Sequence, residues 1–135
     1  MSDSLFDIDA FRDRMSPGSF ASGIRMVETG VVDLVSIEDE VVTAYVQGGD
    51  LYLVELRPPA DGACTCPAFE KEAACKHQVG VAAAVNGLST TDLQRIRQRM
   101  ARLRDSLALE SKDALIERIV DLAKRDPKVL TGLER

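Results

Sequence analysis

The apolar positions of the chain change their spacing several times, and the first segment has the spacing of short helices. Residues 5–29 predict two such helices, interrupted at Ser16-Pro17-Gly18. Ser16 is a favourable N-cap and Pro17 suits a first helical turn, while Gly30 is placed as a C-terminal stop. Four apolar residues are spaced to share a buried side: Phe11, Phe20, Ile24 and Val27.

The next segment alternates apolar and polar residues and is rich in β-branched side chains. "VVDLVSI" (31–37), "VVTAYVQ" (41–47) and "LYLVELR" (51–57) therefore predict three strands. The connections Glu38-Asp39-Glu40 and Gly48-Gly49-Asp50 have hairpin lengths. Together they predict an antiparallel three-stranded sheet.

Helical spacing returns in the second half. A helix is predicted from about Ala74 to Val85, with Gly87 beyond its end, and a second over 89–107, capped by Thr90 or Thr91. A third is predicted from about Lys112 to Arg125, ended by Asp126-Pro127. Two stripes are expected to face inward: Leu93, Ile96, Met100, Leu103 and Leu107, then Leu115, Ile116, Ile119, Leu122 and Ala123.

These elements predict an α+β fold, in which a small three-stranded antiparallel sheet and the helix that follows it precede a helical hairpin. We expect residues 1–88 to form the first module and residues 89–135 the helical segment.

The composition limits the classes of protein to which this chain can belong. The 135 residues are 45% hydrophobic and 29% charged, which is typical of a globular domain. No apolar run approaches the roughly 20 residues that span a bilayer, and the acidic N-terminus lacks a signal-peptide pattern. We therefore expect a cytoplasmic protein with no membrane contact. No G-x-x-x-x-G-K-[ST] motif occurs, so any ATPase would be a partner.

The three cysteines and the single histidine lie in one window, "CTCPAFEKEAACKH". Cys64, Cys66, Cys75 and His77 have the spacing C-x-C-x8-C-x-H, a donor set for one closed, tetrahedral, structural zinc ion. Pro67 turns the chain after the first pair, and the second pair opens a helix whose N-terminus stabilises thiolates. Lys71 and Lys76 lie close enough in sequence to offset the negative charge of three thiolates.

Three other interpretations of this window fit the residues less well. Cysteines often serve as small buried apolar residues, but chance grouping with the only histidine is improbable. A disulfide fits poorly with an odd cysteine count in a reducing compartment. A catalytic pair of Cys75 and His77 leaves Cys64 and Cys66 unexplained.

The window, with strands before it and a helix after it, resembles the SWIM zinc finger. The likeness extends over residues 10–133, although Met26 stands where the family often has tyrosine. The resemblance implies a non-enzymatic module that binds proteins or DNA. SWIM fingers of this kind occur in proteins that are associated with helicase-type ATPases. The framework positions that fit are Gly23, Gly30, Val42, Ala44, Val46, Gly48, Tyr52, Val54 and Leu56.

Charge is unevenly distributed around this module. Residues 1–63 carry twelve acidic and four basic side chains, whereas residues 91–107 carry two acidic and five basic ones, all arginines. On a helical wheel Arg95, Arg99 and Arg102 share one flank. The ordinary interpretation is that these arginines border the apolar stripe and keep their charged groups in water. The alternative is that they form a ridge that contacts the phosphates of a nucleic acid or a partner, in which case Lys71 and Lys76 would contribute to the same surface.

Three functional hypotheses follow. The first is a zinc-binding, non-enzymatic adaptor that docks on a protein partner such as a helicase-type ATPase. The second is a DNA-binding module that uses the arginine helix of residues 95–104. The third is a redox switch that releases zinc when its thiols are oxidised. The sequence identifies neither the partner nor the oligomeric state, nor whether the chain is part of a longer protein.

Overall fold

The computed structural model describes residues 4–72 and 74–134, and it confirms the α+β fold class. In these ranges the chain forms helices α1 (Ile8–Arg12) and α2 (Pro17–Thr29), then strands β1 (Val32–Glu38), β2 (Val41–Gln47), β3 (Leu51–Arg57) and β4 (Asp61–Cys64), and finally helices α3 (Pro67–Glu72), α4 (Lys76–Asn86), α5 (Thr90–Ala108), α6 (Lys112–Arg125) and α7 (Pro127–Leu133). It divides into two compact units, Met1–Met100 and Ala101–Arg135. The module boundary expected between residues 88 and 89 stays a prediction.

The sheet has four antiparallel strands in the order β1-β2-β3-β4, so the prediction of three strands was wrong. The missed strand, β4, is only four residues long, and its Asp-Gly sequence has turn chemistry rather than an alternating pattern. Gly62 has a φ of 149° and pairs with Leu56. The fourth strand matters because it brings Cys64 opposite Val54 at the end of the sheet.

The three predicted strands and their short turns are confirmed to within one residue. The β1–β2 turn holds Asp39 and Glu40 at φ values of 51° and 62°, the sign that a tight primed hairpin turn requires. A register irregularity between Leu34 and Ser36 marks a bulge in β1.

Two short helices were also missed. α3 lies between the two pairs of predicted zinc ligands, where no helix is predicted from the sequence, and α7 follows α6 directly. Pro67 and Pro127 each occupy the first helical position, so the prolines that were interpreted as a bend and as a stop begin new helices. Asp126 caps α7 by accepting a hydrogen bond from the Lys128 N–H at 2.9 Å.

The core of the first unit lies between the sheet and α4, with α2 packed across α4. α2 begins as predicted, with Ser16 accepting from the Ser19 N–H, and ends at Gly30 with a φ of 71°. Phe11 and Phe20 are buried as expected, but Ile24 and Val27 are exposed. Gly23 faces α4 instead and permits close packing at Val79, and Met26 packs against Gly80 of α4.

α5 contacts the edge of the sheet through its first half. Ser89, rather than Thr90 or Thr91, accepts a hydrogen bond from the Asp92 N–H at 3.1 Å, so the predicted caps were wrong. Leu93 and Ile96 are partly buried against the core. Arg99 donates to the carbonyl oxygens of Leu34 and Val35, which the bulge turns outward.

The second unit leaves most of its apolar surface exposed. Ala123 is its one buried residue among those described, so the expectation that the α6 stripe points inward was wrong for the larger side chains. Ile116, Ile119 and Leu122 are 44%, 45% and 58% exposed. Within the described residues every helix is too short or too polar to cross a bilayer.

Candidate metal centre

The four predicted ligands meet where the sheet ends and α4 begins. Cys64 is the last residue of β4, and Cys66 follows it two positions later, just before α3. Cys75 has an extended backbone and is the N-cap of α4, and His77 lies in the first turn of that helix. A strand end and a helix start therefore supply one pair of donors each.

The geometry of the four side chains fits a closed metal site. Their ligand atoms all lie within 4.8 Å of one another, and the Cys64 Sγ is 3.8 Å from the His77 Nδ1. A tetrahedral zinc ion with ordinary bond lengths separates its donors by about 3.5–3.8 Å. All four residues are at most 6% exposed. The donor set and its spacing are consistent with one structural zinc ion.

The surroundings of Cys75 affect the protonation of its thiol. The neighbouring Cys64 thiol and burial raise the pKa of Cys75 to about 12, although His77 and the backbone N–H of Gln78 act in the opposite direction. The hydrogen bond with Cys64 and the cost of burying a charge both favour the neutral thiol over the thiolate. A divalent cation held by the four side chains would instead favour the thiolate, because it neutralises the buried charge.

Neighbouring residues fix the orientation of the ligands. The Cys75 N–H donates to the Gln78 Oε1 at 3.0 Å, which secures the start of α4. The Tyr52 ring lies against His77 with 4.8 Å between ring centroids. Gly48 sits behind both rings, because a Cβ atom there would be 3.0 Å from the Tyr52 Cε2 and 3.5 Å from the His77 Nε2.

The sequence pattern marks Gly48 and Tyr52 only as framework positions, and no pattern in it points to Gln78. Gly48 and Tyr52 lie at the β2–β3 turn, more than ten residues before the first cysteine. Their role depends on the pairing of β3 with β4, and β4 was the strand that the sequence did not reveal.

The two lysines near the site are exposed, Lys71 at the end of α3 and Lys76 at the first position of α4. Lys76 and the ligands Cys66, Cys75 and His77 help to line a cavity of about 320 Å³, together with Tyr52 and several smaller residues. That the lysines contact a partner stays a prediction.

The arginines of α5 have intramolecular neighbours. Arg95 pairs with Asp92 at 3.3 Å, and Arg97 pairs with Glu40 at 3.0 Å. Arg99 binds the bulge carbonyls, and Arg102 also interacts within the chain. Contact of Arg95, Arg99 and Arg102 with nucleic acid or a partner stays a prediction, and it would have to compete with these interactions.

Comparison with known proteins identifies the metal-binding segment. Residues 52–86 match the family model of the SWIM zinc finger. The match begins in β3 and ends with α4, so it contains the whole site. No curated protein and no solved structure matched the chain. The likeness of residues 10–51 and 87–133 to SWIM proteins stays a prediction.

Proposed function

We propose that this chain, whose residues 52–86 form a SWIM zinc finger, is a non-enzymatic adaptor that binds another protein through a zinc-stabilised module. The observation that carries the proposal is the closure of the site. Four donors from the chain lie within 4.8 Å of one another, the number that a tetrahedral site requires, and each is almost fully buried. A catalytic zinc keeps a coordination position for water or substrate, whereas a structural zinc does not.

Zinc, when bound by Cys64, Cys66, Cys75 and His77, supplies stability rather than chemistry. β4 is only four residues long and α3 only six, so neither contributes much core. A metal that joins the end of β4 to the start of α4 offsets this deficit. The remaining surface of the module is then available for recognition.

Charge favours a protein partner over nucleic acid as the ligand of this surface. Residues 1–63, which form α1, α2, the first three strands and most of β4, carry a net charge of −8. A surface of this sign repels phosphates and attracts basic patches on proteins. Two of the α5 arginines, Arg97 and Arg99, also have contacts with the β1–β2 hairpin and the β1 bulge.

A helicase-type ATPase is the first partner class to test, on the basis of the SWIM resemblance alone. The full chain, loaded with zinc, is titrated into a purified ATPase of this class by calorimetry at about 50 and 300 mM salt. Saturable binding that weakens as salt increases supports an electrostatically complementary protein partner. Absence of heat with every such ATPase refutes this partner class.

The same preparation decides between the adaptor and a DNA-binding module. We expect no binding to labelled duplex or single-stranded DNA at about 50 mM salt, where phosphate contacts are strong. Micromolar binding that Arg95→Ala and Arg102→Ala weaken would replace the adaptor proposal with the DNA-binding one.

A thiol redox switch is disfavoured by burial, because reactive cysteines are accessible and Cys64, Cys66 and Cys75 are not. Mild oxidation by hydrogen peroxide should therefore leave zinc bound, as measured with a chromogenic zinc indicator. Rapid and reversible release would contradict this expectation.

A further inference from the structure

The cavity of about 320 Å³ beside the metal centre has both polar and apolar walls. Its volume lies at the lower end of the range for small-ligand sites, so it has room for about one side chain rather than a folded segment. His77 and Lys76 contribute polar groups to it. The apolar side chains that line it include Met15, Tyr52 and Pro67.

The imidazole of His77 presents one nitrogen to the other metal ligands and one to the cavity. Its Nδ1 lies 3.8 Å from the Cys64 Sγ. Its Nε2 lies 3.5 Å from the place that a Cβ atom on Gly48 would occupy, and Gly48 lines the cavity with His77. His77 is only 5% exposed, and no described residue accepts a hydrogen bond from this nitrogen. The Nε2 is therefore a buried polar atom that lacks a protein partner in the described chain.

The chemistry of the imidazole determines what this nitrogen requires. A histidine that binds a metal through Nδ1 carries its proton on Nε2, which is then a hydrogen-bond donor. Such a donor almost always meets a carboxylate, a backbone carbonyl or a water molecule, because the acceptor fixes the ring and increases its basicity. A buried donor without an acceptor is destabilising. The acceptor for His77 must come from the cavity.

Lys76 favours a negatively charged acceptor. It is exposed, it lines the same cavity, and it belongs to no ion pair in the described ranges. The described residues that line the cavity include no aspartate or glutamate. A zinc ion held by three thiolates leaves an excess negative charge, so an anion can enter only beside a cation. Lys76 and the N-terminus of α4 supply that positive potential.

We propose that the cavity receives the carboxylate of one glutamate of the partner protein, held between the His77 Nε2 and the Lys76 Nζ. A carboxylate can accept from both donors, and charge-assisted hydrogen bonds are the stronger ones. Met15 and Tyr52 pack against its methylene groups. The inference rests on the proposed function, because it names the chemistry of the partner. Basic patches that the acidic surface attracts are other parts of that partner.

The full zinc-loaded chain tests the donor and the ligand in one NMR experiment. Two-bond proton–nitrogen spectra of the imidazole should place the proton of His77 on Nε2. Titration with the acetylated, amidated tripeptide Ala-Glu-Ala should shift this signal and the Gly48 amide, with a dissociation constant of roughly 1–10 mM for a single side chain. The tripeptide Ala-Gln-Ala has nearly the same shape without the charge and should cause little shift.

Variants of Lys76 test the second donor. Lys76→Gln should weaken binding of the glutamate peptide by about 5- to 10-fold, and Lys76→Arg, which retains the charge, should bind it nearly as the original chain does. Lys71→Gln makes the same charge change on an exposed residue of α3 that does not line the cavity, and it should have no effect. Zinc content is measured in each variant, because Lys76 lies between two ligands in sequence.

Several results would overturn the proposal. These are a His77 proton on Nδ1, equal binding of the two peptides, or Lys76→Gln without effect. Acetate that binds as tightly as the glutamate peptide would show that the apolar walls contribute nothing, and it would refute a partner side chain as the ligand. A protein partner that binds Lys76→Gln as tightly as the original chain overturns this assignment and leaves the adaptor standing. Absence of any protein partner, with a normal response to the peptide, refutes the adaptor alone.

Discussion

Gly23 of α2 and Val79 of α4 lie so close that a Cβ atom on Gly23 would be 2.7 Å from the Cβ of Val79. The same atom would be 2.6 Å from the Lys76 carbonyl oxygen. Lys76 is the first residue of α4 and lies between the ligands Cys75 and His77 in sequence. The position of the metal-binding helix therefore depends on the absence of a side chain at Gly23.

Gly23→Ala should separate the two helices and destabilise the zinc-loaded chain by about 1–3 kcal/mol, as overpacking of a close contact does. The free energy of unfolding, measured by urea denaturation, tests this expectation. Gly18→Ala is the matched control on the same helix, because no atom lies within 4 Å of a Cβ atom there. It should stabilise the chain by about 0.5–1 kcal/mol. Equal effects at both positions would contradict the packing argument.

Gly48→Ala should weaken zinc binding without removing a ligand. The added methyl group would press on the Tyr52 ring, which lies against His77, and would tilt the imidazole. Competition with a chelator should show a lower zinc affinity than in the original chain. Gly49→Ala, next in sequence with open space at its Cβ position, should bind zinc normally. If both variants lost zinc affinity, the cause would be a changed conformation of the β2–β3 turn rather than pressure on the Tyr52–His77 contact.

Cys66→Ser should abolish stoichiometric zinc binding and unfold the segment from β4 to the start of α4. A structural zinc contributes its binding free energy directly to folding, and a serine hydroxyl is a poor replacement for a thiolate. Native mass spectrometry should find about one zinc per original chain and none in the variant. Ala63→Ser, at an exposed position of β4, makes a comparable change nearby and should retain the metal. A stable, metal-free Cys66→Ser chain would refute the structural role of zinc.

Zinc affinity should increase with pH. The neighbouring Cys64 and burial raise the pKa of Cys75 to about 12 in the metal-free chain, so zinc must displace a proton from it at any lower pH. Isothermal titrations in buffers of different ionisation enthalpy should reveal proton release on binding. A pH-independent affinity between roughly pH 6 and 8 would contradict the three-thiolate assignment.

Local patterns predicted those parts of the fold that local interactions determine. The alternation in β1 to β3, the cap at Ser16 and the glycine stop at Gly30 depend on a few neighbouring residues, and all are confirmed. β4 is too short to show a period and owes its conformation to pairing with β3. Ile24 and Val27 were misassigned because Gly23, which bears no apolar side chain, forms the closest contact with α4.

The metal centre was more predictable than its surroundings. Soft ligands at a characteristic spacing identify a zinc site wherever they occur in one chain segment. The contribution of Tyr52 and Gly48 could not be inferred, because it requires the register that places the β2–β3 turn beside His77. The exposed α6 stripe could not be recognised either, since periodicity shows that a face is apolar and not what covers it.

The order β1-β2-β3-β4 has a consequence for the way the chain folds. Every strand pairs with its neighbour in sequence, and all four metal ligands lie within fourteen residues. Closing such short loops costs little entropy, so the sheet and the site can form in the order in which a ribosome releases them. The packing of α2 on α4 joins residues more than fifty positions apart and must wait for α4. Until α4 has formed, α2 lacks the helix against which it packs, so the docking of α2 is expected to be the last step in forming the module.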